Sequence, residues 1–445
     1  MLVHSLRKKR RPFHFSPAEI ITGTFIGLIL LGTGLLMLPI SNQQDSPQWI
    51  DALFIATSAI CVTGLSPLLI DQQFSLFGQS VILMLIEIGG LGFMSIPIFI
   101  YFVGKKRIHL STRLVLRESM NMESRSGEVK LALAILKIAG SIQLVGIGLL
   151  AIRFIPKYGV ATGIWYSVFH AISSFCNAGF DLFGTSMVAF KGDPIIILTI
   201  SFLIISGGLG FLVWTDLLQI RHKKLSLHSR LALKMTGILL LVGWGLFYLI
   251  MPKTSLGKSL LDSFFLSVTP RTAGFFTLDY ANMPQAGLML TMMLMFIGGT
   301  SGSTAGGLKT TTLAVLIAKV RSLFKGRTRT EISGRTIREV AVAKAMTLFF
   351  LALAICTISL FILTITETTS NETLVVLGFE VVSAFGTVGL TMGATSSLSL
   401  VGKLVIISLM FIGRVGILTI LYSLSRKIYQ QEVKIKYPEE SVLLG

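Results

Sequence analysis

"LGFEVVSAFGTVGL", residues 377–390, is an apolar run of about a dozen residues that ends in a threonine, a valine and a glycine. A helix that crosses a bilayer needs about 20 apolar residues, because the hydrocarbon core is about 30 Å thick. A half-length helix that stops in non-helical backbone leaves N–H and C=O groups that lipid cannot satisfy, so it has to line an enclosed, water-filled or ion-filled space. Three more stretches have the same form: "DALFIATSAICVTGL" (51–65), "WYSVFHAISSFCNAGF" (165–180) and "LDSFFLSVTPRTAGFF" (261–276). All four align without gaps on Gly64, Gly179, Gly274 and Gly389. Phe54, Phe169, Phe264 and Phe379 stand ten residues before those glycines. Ser58, Ser173 and Ser383 stand six before, where the third copy has Val268. A second mark follows 24 to 28 residues on: "GGLGF" at 89, "GGLGF" at 207, "GGTSG" at 298 and "GRVGI" at 413. One unit is used four times.

The composition agrees with a membrane solvent. Of 445 residues, 52% are hydrophobic and 13% charged, and the mean hydropathy is +0.78, whereas soluble proteins carry about a quarter charged residues. Repeated apolar runs near twenty residues long indicate a polytopic helical protein. The net charge of +18 is not a nucleic-acid footprint, since no basic helix with interleaved aromatics stands outside the loops. Of 39 Lys and Arg, 30 lie in five segments: 1–19, 104–137, 217–234, 319–344 and 426–445. The intervening "SNQQDSPQW" (41–49) and "TETTSNET" (366–373) carry none. That alternation places the five basic segments in the cytoplasm. The basic N-terminus reads as a cytoplasmic flank, with no small-residue cleavage site after the next apolar run. Cys61, Cys176 and Cys356 fall in apolar segments and read as small buried hydrophobes. No H-E-x-x-H, G-x-S-x-G or two-histidine metal set points to an enzyme.

Five cytoplasmic markers enclosing four units make each unit leave and return to one side. Outer helices are expected near 18–39 and 76–103, 131–155 and 194–215, 231–251 and 286–318, and 341–365 and 401–425. The predicted organisation is a cytoplasmic segment at 1–19, repeat one at 20–103, a loop at 104–130, repeat two at 131–216 and a loop at 217–230. Repeat three follows at 231–318 with an intramembrane loop at 298–309, then a loop at 319–340, repeat four at 341–425 and a cytoplasmic tail at 426–445.

Half-helices around one axis would aim their negative C-terminal ends at a central cavity, which favours a cation. "TVGLTMG" in the fourth unit looks like the T-V-G-Y-G filter of potassium channels, whose carbonyls replace the ion's hydration shell. Four fused helix–pore helix–helix copies resemble the Ktr/Trk/HKT superfamily of potassium transporters, and the short loops resemble the bacterial Ktr membrane subunit. The resemblance implies an all-α polytopic fold with pseudo-fourfold symmetry and a simplified carbonyl filter. Its residues would be Val62, Thr63 and Gly64; Asn177, Ala178 and Gly179; Thr272, Ala273 and Gly274; and Thr387, Val388 and Gly389. It also implies K+ as the transported ion, Na+ as a coupling or activating ion, and no nucleotide bound by this chain. A cytosolic nucleotide-binding regulatory ring and a second copy of the membrane subunit are the implied partners, in a bacterial cell membrane with both termini cytoplasmic. The filter departs from the channel pattern, because Leu390 replaces the tyrosine. Channel-like K+ uptake, sodium-coupled symport and a less selective cation path therefore all stay open. A non-transporting structural protein would not predict filter glycines in register.

"GGTSGSTAGGLKTTT", residues 298–312, has the glycines and lysine of a phosphate loop, but Leu308 intrudes between Gly307 and Lys309 and breaks the required spacing. Seven Ser/Thr and five Gly in fifteen residues cannot continue as a lipid-facing helix. The family resemblance makes Gly298, Gly299, Thr300, Ser301, Gly302, Ser303, Thr304, Ala305, Gly306, Gly307, Leu308 and Lys309 an intramembrane gating loop, with Arg414 beneath the filter beside it. Arg414 has a second reading, a helix-end arginine snorkelling to the interface, and Lys309 one near the cytoplasmic face. Glu87 would steer cations, pair with a base or sit protonated. Asp51 and Asp262 read as helix caps. Glu380 has no assigned role.

Overall fold

The computed structural model describes residues 17–92, 128–221, 224–252, 256–368 and 372–424. The N-terminal basic segment, residues 93–103 of repeat one, most of the loop at 104–130 and the C-terminal tail lie outside them. Unit one comprises α1 (Pro17–Leu36), α2 (Trp49–Ile60) and α3 (Leu76–Leu91). Unit two has α4 (Glu128–Tyr158), α5 (Val160–Cys176), α6 (Pro194–Gly208) and α7 (Phe211–Leu218). Unit three has α8 (Leu227–Ile250), α9 (Leu256–Val268), α10 (Gln285–Phe296) and α11 (Thr310–Phe324). Unit four has α12 (Glu339–Thr366), α13 (Leu374–Gly386), α14 (Leu400–Val415) and α15 (Ile417–Leu424). A two-residue hairpin, Glu331–Ile332 against Arg335–Thr336, decorates the third basic loop of an otherwise helical chain.

The first helix of each unit is long and apolar enough to span a membrane. These helices present Leu30, Leu31, Leu241, Leu249, Phe350 and Phe361 outward, the side chains expected against lipid. The half-helices α2, α5, α9 and α13 sit inside that wall. Phe54, Phe169 and Phe379 are fully buried, which explains the recurrence of phenylalanine at that offset. α5 is longer than a dozen residues: its 17 residues start directly after Gly159, where φ is +81°. At 1.5 Å per residue that is about 25 Å, still short of a full crossing.

The second helix is broken in more than the third unit, contrary to the apolar continuity of the sequence. α6 and α7 meet at a 96° bend. α14 and α15 part at Gly416, and α3 ends at Gly92. In units one, two and four the first glycine of the mark abuts a backbone carbonyl at the end of its own half-helix: Gly89 on Ile60, Gly207 on Phe175 and Gly413 on Phe385. A Cβ there would overlap the carbonyl oxygen. Three residues later Gly92, Gly210 and Gly416 take φ of +63°, +89° and +93°, at or just past the ends of α3, α6 and α14. The glycine marks are thus close-packing and turning devices. In unit three the same break is expanded into the residues between α10 and α11.

Unit three also carries a one-residue offset that the gap-free alignment hides. In the other units the N–H just before the filter glycine returns to the carbonyl six before it: Thr63 to Ser58 (2.8 Å), Ala178 to Ser173 (2.8 Å) and Val388 to Ser383 (2.9 Å). Ala273 instead returns to Thr269 at 3.0 Å, one residue closer. Phe265 is correspondingly the fully buried ring, while Phe264 packs against Trp244 at 5.6 Å. The reason is Pro270, which has no N–H and ends the helix early.

With the offset applied, Asp51 and Asp262 occupy the same repeat position, and neither is a helix cap. Gln48 caps α2 without a side-chain bond. Asp51 lies in the first turn, 2.6 Å from Lys403 of unit four, with both side chains nearly enclosed at 11% and 13% exposed. Asp262 lies within α9, 4.0 Å from Lys191 of unit two. Each acid therefore meets a lysine from the preceding unit around the ring. Removing one partner of such a pair strands a charge, at a cost of about 3 kcal/mol. Lys403→Met should lower the thermal midpoint of detergent-purified protein by several degrees, and D51N/K403M should recover most of the loss. An additive double variant would show that the pair does not hold units one and four together.

Candidate ion path and intramembrane loop

Each half-helix ends in one shared backbone bend. Two residues before the glycine, Val62, Asn177, Thr272 and Thr387 have φ of +56°, +61°, +71° and +51°. Gly64, Gly179, Gly274 and Gly389 follow at +94°, +69°, +78° and +91°. The left-handed region costs an L-residue about 1–2 kcal/mol, and three of these four are β-branched. Four strained positions in register are held by their surroundings and mark a constructed site. The N–H between each pair points back to its helix, as given above, so the bend's carbonyls are free to face the axis.

The four bends close a ring. A Cβ on Gly64 would collide with the Ala178 carbonyl, one on Gly179 would lie 2.8 Å from the Ala273 carbonyl, and one on Gly274 2.5 Å from that of Val388. Gly389 completes the cycle against the Thr63 carbonyl. The four bends singled out by the sequence therefore meet one another in chain order. The Asn177 amide reinforces one seam, reaching the Thr272 hydroxyl at 3.2 Å. The ring contains no ionisable side chain; its field is made of carbonyl dipoles and helix C-termini, which attract cations.

The intramembrane loop lies against the inner end of this ring. Its neck is pinned by Gly298 N–H to the Leu308 carbonyl (2.9 Å) and Thr310 N–H to the Gly299 carbonyl (3.0 Å). Thr300 N–H donates to the Gly208 carbonyl (3.1 Å), Thr304 N–H to that of Gly207 (3.3 Å), and Phe211 N–H to that of Gly302 (2.9 Å). The turn of α6 into α7 thereby satisfies the loop's backbone, and the loop satisfies the turn. Gly306 and Gly307 pack directly on Thr387 and Gly386 at the fourth bend. Lys309 folds back on the loop, donating to the Ala305 carbonyl at 2.6 Å, and is part-buried. Ser301, Ser303 and Ala305 complete the turn, with Ser303 Oγ donating to the Thr300 carbonyl at 2.7 Å.

Arg414 joins this loop to unit one. Its guanidinium donates to the Thr304 and Gly89 carbonyls, and to that of Gly90 at 3.1 Å. The snorkelling reading fails here, because all these acceptors are interior backbone groups. Among the described residues Glu87 is held by neutral groups: it accepts from Gln143 at 3.0 Å and from the Cys176 thiol at 3.2 Å.

Glu380 and an unanticipated His170 occupy equivalent positions, nine residues before Gly389 and Gly179. Each tethers the chain leaving its bend. Glu380, wholly buried, accepts from Thr391 (2.7 Å) and Thr395 (2.5 Å). His170 lies 2.7 Å from the Tyr166 carbonyl through Nδ1, accepts from Leu182 N–H at 3.3 Å, and stacks on Phe183. Their shared offset from the glycine was the available signal. Arg271, also passed over, is 5% exposed and reaches Thr236 Oγ1 at 3.3 Å.

Known proteins match the chain over nearly its whole length. The TrkH family, described as cation transport protein, covers residues 2–434. The chain is 52% identical to the potassium/sodium uptake protein NtpJ of Enterococcus hirae, across 99% of this chain and 100% of that one. It is 41% identical to the Ktr system potassium uptake protein B of Bacillus subtilis, across 97% of each. The fold is similar to the crystal structure of the potassium transporter TrkH from Vibrio parahaemolyticus, with a TM-score of 0.72 at 19% identity over 95% of this chain and 88% of that one. A fourfold ring of strained bends, a loop pinned beneath it and a family match spanning both leave one assignment: the chain belongs to the TrkH family of cation transport proteins.

Proposed function

We propose that this chain is the ion-translocating membrane subunit of a potassium uptake system, conducting K+ through the ring of carbonyls at Val62–Gly64, Asn177–Gly179, Thr272–Gly274 and Thr387–Gly389. The observation that carries the reading is the ring of eight positive-φ residues in four-part register, which orients carbonyls without any charged side chain. Carbonyl rings of that kind replace an ion's hydration shell. Relatives named for potassium uptake support the ion, and the sodium in one relative's name supports Na+ as a second, coupling or activating ion. Relatives named as parts of a Ktr system support assembly with further subunits. A cytosolic nucleotide-binding ring seated on the basic loops and a second copy of this chain are the partners we assign. The basic segments, and with them both termini, then lie in the cytoplasm.

Gly389→Ser tests the filter directly. The added side chain meets the Thr63 carbonyl at a φ of +91°, so the ring must distort while the helices that carry the fold are untouched. In proteoliposomes K+ over Na+ discrimination should fall about tenfold or more, a change of about 1.4 kcal/mol in relative affinity. Wild-type affinity and discrimination in a monodisperse variant would sink the filter assignment.

The loop acts as the gate in this reading, and Arg414 holds it closed. Deleting residues 300–306 removes the segment that Thr300 and Thr304 seat on the Gly208 and Gly207 carbonyls, and basal K+ flux should rise. Arg414→Ala leaves three carbonyls without their donor, at about 1–3 kcal/mol for each buried unsatisfied group. It should raise basal flux about fivefold or more, and that rise should vanish in the loop-deletion background, because both changes act on one two-state element. Additive effects in the double variant would uncouple Arg414 from the loop.

A further inference from the structure

The hydroxyls behind the four bends are not used alike. In units one and four the serine six before the glycine accepts from the glycine N–H: Gly64 to Ser58 Oγ at 3.0 Å and Gly389 to Ser383 Oγ at 3.1 Å. In unit two Ser173 Oγ instead donates, at 2.8 Å, to the carbonyl of Phe180, the residue after the glycine. Unit three has Val268 at the serine position, and no hydroxyl is expected there. Because Pro270 ends α9 early, Thr269 moves into the vacated place, and its Oγ1 donates to the Phe275 carbonyl. Thr269, Thr272 and Ala273 are all 0% exposed, so no water competes for this bond.

We propose that Thr269 is a positioning residue for ion discrimination, and that it leaves the outer rim of the ring with two free carbonyls, on one side, rather than four. With Ser173 it ties the carbonyls of Phe180 and Phe275 back to the half-helices and removes them from the axis. Among the described residues no donor is recorded for the matching carbonyls of Leu65 and Leu390, which are left for the ion. The inference rests on the filter reading above and deepens it: rim ligands come from the adjacent units one and four, and the tie in unit three is supplied by a residue outside the repeat pattern. Releasing it lets the Phe275 carbonyl swing, so the rim no longer imposes one ligand number, the quantity on which selection among monovalent cations depends.

The experiment compares full-length wild-type, Thr269→Val, Thr269→Ala and Thr269→Ser proteins in proteoliposomes, with initial rates of K+ uptake measured across K+ concentrations and in competition with Na+. Thr269→Val keeps the volume and removes only the donor, so it tests the bond even if the alanine variant packs poorly. The half-saturating K+ concentration should rise about five- to tenfold and discrimination against Na+ should fall by a similar factor, with maximal rate within about twofold, the scale of one buried hydrogen bond. Thr269→Ser keeps the donor and should restore both. Gly274→Ser runs alongside as the reference for the ring itself. If Gly274→Ser loses discrimination while Thr269→Val keeps it, the Thr269 proposal is overturned and the filter reading stands. If Thr269→Ser behaves like Thr269→Val, the hydroxyl is not the cause and the proposal is likewise overturned. If Gly274→Ser itself keeps wild-type discrimination, the filter reading fails, and the proposal with it.

Discussion

Backbone polar groups at membrane depth must find partners inside the protein, and everything else in this structure follows from how that demand is met. Each half-helix ends with an N–H turned back into the helix and a carbonyl set against the glycine of the neighbouring bend. Thr63, Ala178, Ala273 and Val388 all donate backwards, within 0.2 Å of one another in length. One bend would leave a row of bare carbonyls in hydrocarbon. Four bends around one axis enclose them, and in the proposed function a dehydrated cation partners what remains. The strain at Val62, Asn177, Thr272 and Thr387 is tolerable because each bend is wedged against the next.

The same demand shapes the layer beneath. Breaking a second helix exposes carbonyls at Gly207, Gly208 and Leu209 in unit two, and the intramembrane loop of unit three answers them with Thr300 and Thr304. The loop is therefore not an insertion laid over a finished bundle. It is the complement of a break that units two and four also contain, enlarged in unit three, where Pro270 ends the half-helix early. Gly298 packs on Gly306 within the loop. Arg414 makes the arrangement communal, since one guanidinium binds carbonyls of units one and three from a position in unit four. A part-buried arginine whose acceptors among the described residues are backbone carbonyls is poised for change, because moving any one element leaves a charged donor short of partners.

The repeat is not a perfect fourfold. Ion pairs join Asp51 to Lys403 and Asp262 to Lys191, which marks units one and three as one type. His170 and Glu380 mark units two and four as another. The hydroxyls behind the ring divide it differently, one and four against two and three. The first division is two-fold and the second splits the ring into adjacent halves, so one backbone geometry presents different chemistry at different positions around the axis.

The class, the four units and the glycines at their centres were legible in the sequence, because they follow from periodicity, charge placement and the lengths of apolar runs. The common register of the four bends was legible too, since an in-register glycine after a half-length helix has few physical uses. Other features came only from the tertiary structure. Nothing in Val62, Thr272 or Thr387 announces positive φ; β-branched residues favour extended backbone, and the neighbouring bends override that preference. The one-residue offset of unit three stayed hidden because aligning on Gly274 matched Phe264, although the helix buries Phe265. Asp51 and Asp262 read as caps, for their lysines lie in other units and no local rule reaches that far. Glu87 had no nameable partner for the same reason, with Gln143 and Cys176 56 and 89 residues away. Sequence determined which groups must be hidden from lipid; only the folded ring decided which of them would satisfy one another, because hydrogen-bond partners are chosen by proximity in space.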